Sequence, residues 1–204
     1  MLQSKWYQIL EKVTNYILLS VLWAIISLPL VTLFPATTAM FGVIKDWHEQ
    51  KEKGVLKHFF KHFSNHFKKS LLLGIIFWIV CIIFILDILI MNEVKSTAST
   101  LIFSLLIMMA VVVSFICVYL FPIMVSYKLS IKNIIKNAFL FSIMYFPTSL
   151  ISFSLLAVSV YIIILVPIMV FIVVSPVAYI IYRLCNRSFS KVSVMLNTKI
   201  DASS

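Results

Sequence analysis

From Asn137 to Tyr182 the chain runs for 46 residues without a single Lys, Arg, Asp or Glu. Three other stretches are nearly as bare: Val13 to Ile44 and Ser96 to Tyr127 carry no charge, and Ser70 to Met91 carries only Asp87. A helix needs about 20 apolar residues to cross the roughly 30 Å of bilayer hydrocarbon, so each of these runs is long enough to span and the longest can span twice. Composition agrees: 62% of the 204 residues are hydrophobic and 12% charged, with a mean hydropathy of +1.09. Seventeen Lys and Arg with seven Asp and Glu cannot cover the surface of a soluble domain, about a quarter of whose residues are charged. Disorder, which requires low hydrophobicity, is excluded on the same ground.

The runs are continuously apolar rather than alternating, and lipid requires every backbone polar group to be satisfied within the segment. The expected fold is therefore all-α: a polytopic transmembrane helical bundle with about five spans, at 14–33, 71–91, 101–123, 147–166 and 168–184. Pro147 and Pro167 mark where the last long stretch starts and turns. The first apolar run far exceeds the 7–15 residues of a secretory leader's core and is expected to remain as an anchor. With five crossings, the lysines between spans one and two (Lys45 to Lys69), those at Lys128, Lys132 and Lys136, and the cations after Tyr182 all share one side. The positive-inside rule then places the N-terminus outside and the C-terminus in the cytoplasm. The formal charge of +10 is thus a topology signal, and no nucleic-acid partner is expected.

Within the first run, Ser27-Leu-Pro-Leu-Val-Thr-Leu-Phe-Pro-Ala holds Pro29, Thr32 and Pro35, which should break or kink a helix. Ala36, Ala39 and Gly42 follow at intervals of three, a small-residue face suited to close packing in lipid. The ten apolar residues before Lys45 are too few to cross back, so the segment reads as a kinked continuation of span one. A re-entrant turn lining a cavity is the functional alternative.

Leu56 to Lys69 (LKHFFKHFSNHFKK) is amphipathic at helical period. Leu56, Phe59, Phe60, Phe63 and Phe67 form one stripe, with Lys57, Lys61 and Lys68 on one flank and His58, His62 and His66 on the other. Such a helix suits the membrane interface, with aromatics at the acyl boundary and lysines toward anionic headgroups. The pattern returns 75 residues later: Lys53, Lys57 and Lys61 match Lys128, Lys132 and Lys136, while Leu56, Phe59 and Phe60 match Ile131, Ile134 and Ile135. Two basic interfacial helices, 56–69 and 130–141, are therefore expected. The whole reads as one integral membrane domain with a parallel repeat, 13–91 and 96–166, plus a fifth span at 168–184.

Sites for chemistry are sparse. Three histidines at i, i+4 and i+8 bring imidazoles onto adjacent turns, as a metal site would, yet the second copy carries Asn133 and Asn137 at the positions of His58 and His62. On this reading no acid shares their face, so they form a polar flank; no metal and no cofactor is expected. An ionisable residue inside a membrane is a functional candidate by default, and Asp87 is the one within a span, near its outer end. Cys81, Cys117 and Cys185 have no ligand spacing and read as small hydrophobes. No HExxH, GxSxG or Walker A sequence occurs, which disfavours an enzyme.

The stretch Ser27 to Phe41, with Phe59-Phe-Lys-His-Phe63, Phe67-Lys-Lys-Ser70 and the later Phe121-Pro122, Lys132-Asn133 and Lys136-Asn137-Ala138, resembles the YesL family of small bacterial integral membrane proteins, a domain of unknown function. The resemblance implies a polytopic protein of the bacterial plasma membrane without established activity. Its members are often encoded beside carbohydrate-utilisation and sugar-importer genes, which implies an accessory, partner-binding role beside a binding-protein-dependent sugar importer. A small transporter or channel using Pro29, Thr32, Pro35 and Asp87 is the competing expectation.

Overall fold

A computed structural model describes the backbone of residues 2–50, 54–93 and 97–201, and side chains within 7, 9–50, 54–89 and 102–192. Lys51, Lys53 and Lys95 lie outside the described residues. The described chain is all-helical: α1 (Leu2–Ser27), α2 (Leu33–His48), α3 (Val55–Glu93), α4 (Thr97–Ser126), α5 (Ile131–Met144), α6 (Phe146–Leu165) and α7 (Val170–Asp201), with short 3-10 turns before α2 and α7. Five segments are long and apolar enough to cross a membrane: Ile9–Ser27, Val55–Leu89, Ile102–Ser126, Phe146–Leu165 and Pro167–Val192. They correspond one for one to the five expected spans, and the protein is a membrane-embedded helical bundle.

The segment after α1 is not a kinked continuation. α1 stops at Ser27, the chain turns through Leu30–Thr32, and α2 returns alongside α1. The pairing shows the direction: Trp23 Nε1 donates to Thr37 Oγ1 at 3.0 Å, and farther from the turn the rings of Tyr16 and Trp47 meet edge-on at 5.1 Å. The turn is made by the residues first suspected of lining a cavity. Pro29 is extended (φ −74°, ψ 117°); the Thr32 hydroxyl donates to the carbonyls of Pro29, at 2.7 Å, and Ile26. Pro35 occupies the first turn of α2, where its missing N–H breaks no helical bond. At 16 residues, or about 24 Å at 1.5 Å per residue, α2 is shorter than the five apolar spans, yet it carries the chain from the turn back to the end of the bundle where Tyr16 meets Trp47.

That arm is the centre of the molecule. Eleven of its residues are buried, from Phe34 to Asp46, and it packs against α1, α3, α4 and α7. Burial on this scale is possible because no charge occurs between Leu33 and Ile44, and the Thr37 and Thr38 hydroxyls donate back to the Leu33 and Phe34 carbonyls at 2.7 and 2.8 Å. α3 runs antiparallel to α2, with Gly42 against His62 and, toward the turn, Gly74 against Phe34. α4 returns with Phe121 stacked on Phe41 at 5.9 Å. α7 lies antiparallel to α1: Ser175 N–H donates to Ser20 Oγ at 3.1 Å, and Tyr179 meets Tyr16 at 5.8 Å.

Because α1 and α7 are antiparallel and α2 adds a return, the N-terminal end of α1 and the C-terminal end of α7 leave from the same end of the bundle. Lys12 lies one turn before Tyr16, at the end of the bundle where α1 meets Trp47 of α2.

The expected separate interfacial helix at 56–69 is instead the first turns of α3, which continues unbroken to Glu93. No proline interrupts it, and Gly74 does not suffice to break it. Its 39 residues reach about 58 Å, well beyond the roughly 30 Å of hydrocarbon, so the basic part extends past the apolar layer. Only the second basic stretch forms a helix of its own, α5, divided from α6 at Tyr145 (φ −116°, ψ 47°) ahead of Pro147.

Candidate functional site

Burial within α3 departs from the expected stripe. Phe59 is fully buried, Phe63 and Phe67 are half-buried, and Leu56 and Phe60 are exposed. Lys57, Lys61 and Lys68 are exposed, as are Lys132 and Lys136 on α5. The core-facing side is centred between Phe59 and the histidines, so the histidine flank turns toward α2 rather than toward water.

There it meets an acid. Asp46, in the last turn of α2, is buried, and its Oδ2 lies 2.7 Å from His58 Nδ1 and 2.7 Å from His62 Nε2. The Asp46, His58 and His62 side chains are 10, 12 and 15% exposed. The three donor atoms all fall within 4.8 Å of one another. A carboxylate at a helix C-terminus is normally disfavoured by the aligned carbonyls; Asp46 is tolerated because it faces the positive first turns of α3 and two imidazoles. Burial raises its pKa, but the His58 and His62 hydrogen bonds and charges together outweigh that and hold the carboxyl below its ordinary range.

Gly42 shapes the pocket. A Cβ there would lie 2.4 Å from His62 Cγ and 2.7 Å from its Nδ1, so only the bare backbone lets the imidazole lie flat against α2. His62 Nδ1 is buried there without a hydrogen-bond partner. His66 stacks on His62 at 6.1 Å between ring centroids, while its ring nitrogens are not among the converging donors. His48 belongs elsewhere: its Nε2 lies 2.9 Å from Asn186 Nδ2 and its ring meets Tyr182. The arrangement therefore offers two imidazoles and one carboxylate, able to share protons or to ligate a cation.

Two lysines in the neighbourhood hold the bundle together. Lys45 Nζ donates to the Val125 carbonyl at 2.8 Å and Lys69 Nζ to the Leu129 carbonyl at 3.1 Å. Val125 is in the last turn of α4, whose terminal carbonyls lack helical partners, so part of the basic charge caps this helix.

Of the other sequence candidates, Ala36 and Ala39 are fully buried in α2, and Pro29, Thr32 and Pro35 build the hairpin turn. Asp87 is half-buried far along α3, between exposed Leu86 and Ile88, and stands apart from the Asp46 cluster. The argument that no acid shares the histidine face fails, because it depended on α2 continuing outward. The signal lay in the i, i+4 pair His58 and His62, with Asp46 before a short connection that folds α3 back on α2.

Residues 16–88 are similar to a family described as a protein of unknown function, DUF624. That match takes in the second half of α1, all of α2 and nearly all of α3, and so contains Asp46, His58 and His62. No curated protein and no solved structure matches the chain.

Proposed function

We propose that the chain is a non-enzymatic, multi-pass protein of the bacterial plasma membrane that works as an accessory, partner-binding component, with both termini and the lysine-rich end in the cytoplasm. The observation that carries this reading is the uneven packing of the spans. In the most apolar windows of α3 and α4 only 11% of residues are buried within the chain, and in α6 only 17%. The core instead gathers around α2. Leu105, Met108 and Ile164 are each at least 65% exposed, which leaves helix surface in the apolar layer for lipid and for the helices of a partner.

Placing both termini inside puts Lys12 on the same side as the other basic segments, a stronger positive-inside bias than the expected arrangement gives. Exposed Lys57, Lys61, Lys68, Lys132 and Lys136 then lie within reach of anionic headgroups. Resemblance to the YesL family supports a binding-protein-dependent sugar importer as the partner. The transporter alternative loses its expected lining, since the Thr32 hydroxyl is spent on turn carbonyls.

Photocrosslinking in native membranes tests the proposal. A photoreactive side chain at Leu105 or Ile164 should form an adduct with an importer permease subunit, and the same group at buried Phe59 should not. Adducts to lipid alone, together with solute flux by the protein reconstituted without partners, would replace this reading with the transporter.

A further inference from the structure

We infer that Asp46, His58 and His62 form a binding site for a transition-metal dication of the zinc class, at the junction of α2 and α3. The inference is independent of the partner-binding reading. It starts from convergence: a hydrogen-bonded clamp between two helices needs one imidazole and one carboxylate, whereas here two imidazoles from successive turns meet a single carboxylate oxygen, each at 2.7 Å. Histidines at i, i+4 place two ring nitrogens on one helix face, the spacing that lets both reach one metal.

The dimensions suit a small ion. Zinc at about 2.0–2.1 Å from each donor in tetrahedral geometry separates its ligand atoms by about 3.3 Å. The present 2.7 Å contacts therefore open by about 0.6 Å as the shared protons leave, a small carboxylate and imidazole rotation. Two nitrogens and one oxygen favour zinc, cobalt or nickel over calcium and magnesium, which require oxygen ligands throughout. Three protein ligands leave a fourth position for water or an exogenous donor.

Packing fixes which nitrogen of His62 faces the site: Nδ1 is buried against α2 without a hydrogen-bond partner, so Nε2 is the atom presented to Asp46. The imidazole is held there by the notch at Gly42 and by the stacked His66 ring, which fix Nε2 on Asp46. Neighbouring Lys45 does not enter the site, because its Nζ is directed to the Val125 carbonyl.

The test uses the full chain, expressed without a histidine tag and purified in mild detergent. Titration with Co2+ should give the intense visible absorption of a low-coordinate site, saturating at one ion per chain, and Zn2+ should displace it. His58→Gln and Asp46→Asn should each weaken binding by at least tenfold, on the order of what disturbing even the outer shell of a metal site does, while His66→Gln leaves it unchanged. Because those variants alter a buried cluster, a measurement on the unaltered chain accompanies them: Zn2+ should protect His58 and His62, but not His48, from diethylpyrocarbonate. Absence of a saturable Co2+ signal in folded protein, unchanged affinity in the His58→Gln/His62→Gln double variant, or equal protection of His48 would each overturn the assignment and leave a purely hydrogen-bonded clamp.

Discussion

Replacing Gly42 with alanine tests the α2–α3 junction most directly. The new Cβ would lie 2.4 Å from His62 Cγ and 2.8 Å from its Cβ, whereas carbon atoms in contact sit at about 3.5–4.0 Å. The overlap is therefore about 1 Å, and it falls on the root of the imidazole side chain, where rotation about χ2 gives no relief. Either the helices separate, or His62 leaves Asp46. Overpacking of this kind costs about 1–3 kcal/mol, and alanine's helix preference over glycine returns up to about 1 kcal/mol. Losing one hydrogen bond to a charged group adds about 1.5–3 kcal/mol. The expected net destabilisation is thus about 1–3 kcal/mol, depending on which way the junction yields. The other glycines supply the scale. At Gly74 a Cβ would meet Phe34 Cβ at 3.1 Å, a few tenths of an ångström too close, and at Gly54 its nearest neighbour is His58 Cδ2 at 4.0 Å. Thermal unfolding in detergent, followed by loss of monodisperse protein, should rank Gly42→Ala lowest, Gly74→Ala close to wild type and Gly54→Ala no worse than wild type. In a His62→Ala background most of the Gly42→Ala penalty should vanish, a coupling of about 1–2 kcal/mol. A Gly42→Ala protein as stable as Gly54→Ala, or a penalty unchanged by removing the imidazole, would refute the close approach.

Asp46 is held below the ordinary carboxylate range, so its stabilisation is complete above its unfolded pKa of about 4 and is lost as pH falls through the lower folded value. On acidification below about pH 4, the unfolding temperature of the wild type should fall more steeply than that of Asp46→Asn; equal slopes would show that the cluster contributes nothing. In a cysteine-free background, cysteines at Gln3 and Lys57 should both resist an impermeant maleimide added to intact cells, and labelling of one but not the other would separate the two ends that the fold places together. Lys45→Met should lower stability by about 1–2 kcal/mol by uncapping the Val125 carbonyl, against no change for exposed Lys61→Met; equal behaviour in a chemical or thermal melt would show that the cap is without weight.

Fold class was legible because lipid leaves so few solutions. Uncharged runs of spanning length fixed the number of apolar crossings, and each has its helix. The return of α2 was hidden by its own length: ten apolar residues before Lys45 are too few for a helix facing lipid, but α2 is packed among four neighbouring helices and faces protein instead. The excess length of the Val13–Ile44 run, about half as long again as one span, was the overlooked sign. Everything that followed from direction was displaced with it: the role of Pro29, Thr32 and Pro35, and above all the neighbours of Asp46. Periodicity correctly put His58 and His62 on one face, yet assigned that face to solvent, because amphipathic pattern alone cannot distinguish water from a buried acid on another helix. Lys45 and Lys69 show the same limit, since charge counting treats a lysine that caps a carbonyl and one that faces the cytoplasm alike.

The arm formed by α2 also bears on how the protein is made. Its contacts with α1 and α3 join segments that are close in sequence, so the first 93 residues already hold the hairpin, the Gly42 notch and the Asp46 cluster. α4 and α7 reach the same arm only later in synthesis. During biogenesis this N-terminal part can therefore serve as a scaffold laid down in the membrane, onto which the helices emerging afterwards dock in order of translation.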